Sequence, residues 1–358
     1  MLTSAFDYNL PPELIAQEPL PRRDSSRLLV LHRQDGRLEH RQFRDLPVYL
    51  APGDVLVLND SRVIPARLRA ANAKSGGRFE VLLLHENQFN DWWVMLRPGK
   101  RARIGTTIIL HDLRGTATPV RATVLETNPE GHRRLRFEGT SNILAELAAM
   151  GEIPLPPYIV RSDLSRMEQD RQRYQTVYAN PAGSVAAPTA GLHFTERLLD
   201  EIRGRGVRVC FVTLHVGLGT FAPVKSATIA GHVMHQESYE LGAETVEVLL
   251  RAKASGGRVF AVGTTTVRVL ESVAAQNQGR IVPCVGTTGI FIYPPCDFRV
   301  VDSLVTNFHL PRSTLLMLVS AFARPGQTHG RDLVLSTYAA AIRERYRFYS
   351  YGDAMLLV

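Results

Sequence analysis

VAAPTAGLHFTERLLDEIRGRGVRVCFVTLHVGLGTF, residues 185–221, carries two loops of unusual composition on either side of one helix and one strand. The loops are PTAGLHF (188–194) and HVGLGTF (215–221). Thr195 is placed to cap a helix whose apolar residues Leu198, Leu199 and Ile202 share one face, and Gly204 and Gly206 end it. Residues 207–214 are β-branched and mostly apolar, the composition of a buried strand. With residues 184–187 read as a preceding strand, the unit is βαβ, its strands are parallel, and both histidine-bearing loops leave from their C-terminal ends. Parallel α/β folds keep their chemistry on that edge.

The scheme recurs downstream without a repeated sequence. Residues 258–262 read as a strand, Gly263-Thr264-Thr265-Thr266 as a loop and 267–275 as a helix; strand 303–306, loop 307–311 and helix 312–323 follow the same plan. Such units predict an α/β, barrel-like catalytic domain. Between residues 64 and 139 the pattern changes to short apolar runs at 78–84, 92–96, 107–110, 120–126 and 133–137, separated by Gly, Pro, Asn and Asp. That spacing predicts a small antiparallel β-barrel. A short amphipathic helix at 142–150 precedes Pro154, Pro156 and Pro157, a stiff junction. The expected organisation is a discontinuous catalytic domain, residues 1–63 and 151–358, interrupted by an inserted β-barrel domain, residues 64–150.

At 358 residues, 45% hydrophobic and 21% charged, the chain has ample material for a buried core. It contains no apolar run near the ~18 residues of a membrane span, and its N-terminus lacks the basic and apolar segments of a signal peptide. A soluble, cytoplasmic monomer is expected. Three widely spaced cysteines, Cys210, Cys284 and Cys296, argue against a disulfide framework and against a metal knuckle. Residues 62–140 hold 14 Lys/Arg against 7 Asp/Glu, so most of the net charge of +8 lies in one segment. A polyanion-facing surface or an ordinary solvated basic face would each account for it. Arg97, Lys100, Arg101 and Arg103, just after Trp92 and Trp93, are the candidate phosphate contacts. Arg343 to Asp353 also interleaves cations with aromatics, as RNA contact or a helix end turning into a last strand would.

Four histidines, His193, His215, His235 and His309, lie in or beside the strand-end loops. One histidine alone would be read as a core or surface residue; four point to a shared cleft. In Met234-His235-Gln236-Glu237 the two-residue step puts His235 and Glu237 on one face of a strand, where a carboxylate can orient an imidazole. H-x-E is not a zinc signature, and no metal is expected. Gly217-Leu218-Gly219-Thr220 and the 263–266 loop let backbone amides and hydroxyls approach a ligand, but neither is a dinucleotide or Walker loop.

FDYNLPPELIAQEPLPRRDSSRLLVL, LNDSRVIPARL, GEIPLPPYI, YQTVYANPAGSVAAPTAGLHFTERLL, VTLHVGLGTF, MHQESYEL, VGTTTVRVLES, TNFHLPRSTLLMLVSAF and YRFYSYGDAMLL together resemble the S-adenosylmethionine:tRNA ribosyltransferase-isomerases of queuosine biosynthesis, nearly end to end. The resemblance implies an α/β barrel carrying an inserted β-barrel. It also implies an enzyme that transfers and isomerises the ribosyl part of S-adenosylmethionine onto 7-aminomethyl-7-deazaguanine at the tRNA wobble position, giving epoxyqueuosine-tRNA, adenine and methionine. For that chemistry His215, His235 and His193 are candidates for the base, with Glu237 orienting an imidazole or handling the adenine proton. Gly217, Gly219, Thr220, Thr264, Thr265, Thr266 and Arg268 would line the S-adenosylmethionine site, completed by Asn307 and His309. The competing readings are a metal-dependent hydrolase using the same His/Glu cluster, and a non-catalytic RNA-binding module resting on the basic β domain.

Overall fold

The computed structural model describes residues 1–161, 165–217, 224 and 226–358. They form two compact units, one of Met1–Arg62, Pro156–Val160 and Gln175–Val358, the other of Val63–Leu155 and Arg161–Tyr174.

The first unit is built on a nine-stranded mixed sheet. Its strands are β1 (Arg27–Leu31), β2 (Leu38–Gln42), β3 (Val55–Asn59), β4 (Arg208–Leu214), β5 (Glu237–Leu241), β6 (Val259–Val262), β7 (Cys284–Thr288), β8 (Ser303–Asn307) and β9 (Ala354–Leu357). Their order is β7-β5-β4-β3-β6-β8-β9-β1-β2. The four central strands β4, β3, β6 and β8 are mutually parallel. β5 and β7 add antiparallel on one side; on the other, β9 is antiparallel to β8 and parallel to β1.

β3, VLVLN, is buried along its whole length, as a central parallel strand covered on both faces must be. Val55 and Val57 enter one core while Leu56 and Leu58 enter the other. Helix α1 (Glu196–Gly204) covers the second face through Leu198, Leu199 and Ile202. The first face is covered by α2 (Ala243–Ala254), α3 (Thr264–Gln276), α4 (Thr314–Ala323) and α5 (Gly330–Arg343), whose Leu249, Leu270, Val319 and Val334 share its core. Thr195 caps α1 by accepting a hydrogen bond from the Leu198 N–H (3.1 Å).

One expectation fails here. No strand at 184–187 pairs beside β4; Ala182–Ser184 is a short strand outside the large sheet, and the parallel neighbour of β4 is β3. The backbone after Ser184 is turned toward the second histidine loop, with the Val185 N–H bonded to the Val216 carbonyl (3.0 Å).

The second unit closes six antiparallel strands, Arg67–Asn72, Arg78–Gln88, Asp91–Arg97, Arg133–Glu138, Ala117–Thr127 and Thr107–His111, into a barrel. Pairing of Arg69 with His111 and Asn72 with Ile108 joins its first and last strands. Alternating residues such as Val81, Leu83, Val94, Leu96, Val124 and Leu135 fill the interior. Among the described residues, no helix is long and apolar enough to cross a membrane.

Candidate active site

The parallel core delivers its special residues to one edge. His215 follows β4, Asp60 follows β3, Gly263 follows β6 and Phe308 follows β8, while β9 and β1 begin there, bringing Asp353 and Ser26. A cleft with a cavity volume of about 50 Å³ lies on this edge, lined by Pro188–Ala190, Val216, Gly263–Thr265 and Thr306–Leu310, with Tyr158, Tyr349 and Ser350.

Two local features shape it. Ser184 ties the loops together, accepting from the Val216 N–H (2.9 Å) and donating to the Ala186 carbonyl (2.7 Å). Gly263 has φ of 85°, a conformation that favours glycine, and lets the chain turn from β6 into α3.

His193, 4% exposed, is linked to the cleft through Asn307. The Asn307 amide NH₂ group contacts both His193 Nε2 (3.2 Å) and the Tyr349 carbonyl (3.3 Å). A carbonyl can only accept, so that group is the donor, Nε2 is the acceptor and Nδ1–H donates to Ser26 Oγ (2.7 Å). The ring stacks on Phe43 at 4.9 Å. Burial, reinforced by Arg347 and Arg23, pushes its pKa down to about 3, so it is neutral with both nitrogens engaged. The orientation leaves Asn307 Oδ1, on a residue 2% exposed, buried without a partner among the described residues.

His309 is also held neutral, its pKa pushed down to about 3 by burial, with Nε2 against Thr306 Oγ1 (2.9 Å). Its N–H donates to Tyr338 Oη (3.0 Å) and its carbonyl accepts from Tyr8 Oη. His215 differs. Its Nδ1 is buried with no partner among the described residues, and burial lowers its pKa below the ordinary histidine value. A Cβ on Gly183 would come within 2.9 Å of its ring, so glycine there leaves room for the imidazole.

The His235–Glu237 pairing expected from spacing does not form as a strand-face pair. Sheet pairing of β5 starts at Glu237, opposite Thr288, and His235 precedes it as an exposed residue. Glu237 is instead 7% exposed; Oε2 pairs with Arg268 Nη1 and Oε1 accepts from the Gly217 N–H (3.0 Å). Arg268, on α3, is 4% exposed and has Nε and Nη2 buried with no partner among the described residues. Thr264 and Thr265 line the cleft, Thr265 Oγ1 likewise lacking a partner, whereas Thr266 Oγ1 turns back to the Val262 carbonyl (2.7 Å). Gly219 and Thr220 lie outside the described residues. No group of three or more His, Cys, Asp or Glu side chains among the described residues is arranged to hold a metal ion.

A family model described as queuosine biosynthesis protein matches residues 3–357. The chain belongs to the queuosine biosynthesis protein family. A curated relative from Desulforamulus reducens, named S-adenosylmethionine:tRNA ribosyltransferase-isomerase, is 48% identical over 358 residues, the whole of both chains. The crystal structure of the S-adenosylmethionine tRNA ribosyltransferase of Thermotoga maritima is 40% identical, covering 99% of this chain and all of that one, with a TM-score of 0.55. Both the mixed α/β sheet and the closed antiparallel barrel accord with that family.

Several residues in and around this cleft are not apparent as site residues in the sequence. Ser26, Ser184 and Thr306 are short hydroxyl residues that read as strand ends, and Tyr158 and Tyr349 come from the proline junction and the C-terminal aromatic cluster. The only local signal was polar residues at strand ends. Within that aromatic cluster Tyr346 and Phe348 are fully buried, so they pack the core. In the barrel unit, Arg97, Lys100, Arg101 and Arg103 are all exposed around a single turn of 3₁₀ helix, Gly99–Arg101. None of the four has an acidic partner among the described residues. Trp92 is buried and Trp93 half-buried.

Proposed function

We propose that the chain transfers and isomerises the ribosyl part of S-adenosylmethionine onto 7-aminomethyl-7-deazaguanine at the tRNA wobble position, and that the sulfonium nucleoside occupies the cleft described above. The observation that carries this reading is a set of buried polar atoms without partners among the described residues: Thr265 Oγ1 and Asn307 Oδ1 in the cleft lining, and His215 Nδ1 and two N–H groups of Arg268 on adjoining segments. Buried groups of this kind are ordinarily satisfied, and a ligand rich in hydroxyl, amino and carboxylate groups would satisfy them.

The sulfonium makes the adjacent 5′ C–H acidic. A base that takes this proton starts opening of the ribose and loss of adenine; the aminomethyl nitrogen then attacks, and methionine leaves as the epoxide closes, giving epoxyqueuosine-tRNA. His215 is the base in this reading, because burial lowers its pKa and so favours the neutral imidazole, and Nδ1 has no partner among the described residues. His193, with both nitrogens committed, holds Asn307, whose Oδ1 accepts from a hydroxyl or amino group of the nucleoside. Glu237 fixes the start of the second histidine loop at Gly217. Exposed His235 is assigned no proton transfer. Arg97, Lys100, Arg101 and Arg103 contact tRNA phosphates. The unit of Met1–Arg62, Pro156–Val160 and Gln175–Val358 is the catalytic domain and the barrel unit faces the tRNA, with no metal required.

The test is transfer of a ribose label from S-adenosylmethionine into tRNA. Label should enter tRNA bearing the aminomethyl base and not tRNA bearing unmodified guanine; equal or absent incorporation would remove the reading.

A further inference from the structure

Arg268 is half-satisfied in an unusual way. Nη1 is paired with Glu237, while Nε and Nη2, the two donors of the guanidinium's side-on fork, are buried without an acceptor among the described residues. A buried donor without an acceptor is destabilising, and these two point in parallel from one edge of a rigid plane. The partner that matches them is a carboxylate, which accepts both bonds at once. Thr265 Oγ1, also buried and unpartnered, precedes Arg268 by three positions on α3, so the two share a helix face; Thr264 and Thr265 line the cleft.

We infer that Arg268 and Thr265 bind the methionyl carboxylate of S-adenosylmethionine and so set the direction in which the substrate lies. This rests on the function proposed above and adds an orientation to it. Arg268 lies one turn into α3 and pairs with Glu237 of β5, whereas Asn307 ends β8 and holds His193. The amino-acid end of the substrate therefore points toward α3 and its Glu237 contact, and the nucleoside toward the end of β8. Glu237 grips the guanidinium from its opposite edge and fixes the fork's direction, which makes it a positioning residue for the carboxylate.

The test compares S-adenosylmethionine with its decarboxylated analogue, the adenosyl sulfonium of 3-methylthiopropylamine, by adenine release with saturating modified tRNA. The wild-type kcat/KM should be at least tenfold lower for the analogue. Arg268→Met should abolish the discrimination, so that within the variant the values for S-adenosylmethionine and the analogue agree within threefold. Equal values for the two substrates in the wild type, or undiminished discrimination in a folded Arg268→Met variant, would overturn the inference while leaving the proposed function intact. Should Arg268→Met fail to fold by circular dichroism, Thr265→Val serves; it should reduce discrimination at least threefold, and unchanged discrimination would overturn the inference. Absence of adenine release from S-adenosylmethionine in the wild type is a different result, and refutes the proposed function itself.

Discussion

Acidification from pH 7 to pH 5 should destabilise this protein through two histidines that burial keeps uncharged. His193 and His309 both have pKa values pushed down to about 3 in the folded chain, against about 6.5 when unfolded. Between those values the unfolded chain binds two protons that the folded chain does not. Stability is therefore lost as pH falls below about 6.5, and the loss levels off only near the folded values. Each histidine contributes a slope of about 1.4 kcal/mol per pH unit, so reaching pH 5 costs about 2 kcal/mol for each and about 4 kcal/mol together. Against a typical stability of about 5–15 kcal/mol this is a large fraction. Urea unfolding of the wild type, His193→Gln, His309→Gln and the double variant at the two pH values isolates the effect. Removing either histidine lowers stability at pH 7, since Ser26, Asn307 or Thr306 loses a partner, but should make the pH dependence shallower by about 2 kcal/mol. PH dependence identical in all four proteins would refute the reasoning.

The other predictions concern the cleft and the barrel. His215→Ala should lower kcat by about a hundredfold or more, and the acid-side fall in wild-type kcat/KM, set below the ordinary histidine range because burial lowers the His215 pKa, should disappear with it; a loss within twofold would remove His215 as the base. A Cβ at Gly191 would lie 2.1 Å from Tyr178 Oη and 2.8 Å from Thr176 Cγ2, so Gly191→Ala should cost about 1–3 kcal/mol in thermal or urea unfolding. Tyr178→Phe removes a buried hydroxyl that has no partner among the described residues and should recover part of that cost in the double variant; no recovery would contradict the clash as its source. Replacing Arg97, Lys100, Arg101 and Arg103 with alanine should weaken tRNA binding and reduce the slope of log K against log salt by about 3, without changing KM for S-adenosylmethionine at saturating tRNA. An unchanged slope would remove the four from the tRNA surface.

Local sequence carried the elements well where a single segment decided them. Thr195, the face of Leu198, Leu199 and Ile202, and the β-branched run ending at Leu214 were each readable within one turn or strand. The Gly and Pro spacing of the insert likewise declared a β-barrel before any pairing was known. Partnerships were not readable in the same way. The parallel neighbour of β4 is β3, far upstream, and residues 184–187 resemble a strand because 185–187 are apolar, although only Ser184 belongs to one, outside the large sheet, and the chain runs on to Ala187 in the cleft wall. Glu237 pairs with Arg268 on a distant helix instead of with His235 two residues away, because the strand begins only at Glu237. His193 stood out in its motif, but Ser26 and Asn307, which settle its tautomer, come from opposite halves of the chain. Periodicity defines a face; which distant group meets that face is settled by packing.

The most direct test of the central claim is the stoichiometry of a single turnover. With excess enzyme and limiting tRNA bearing 7-aminomethyl-7-deazaguanine, one adenine and one methionine should be released for each ribosyl group entering the tRNA. Adenine or methionine released with no ribosyl transfer, or transfer with adenine still attached, would contradict the account.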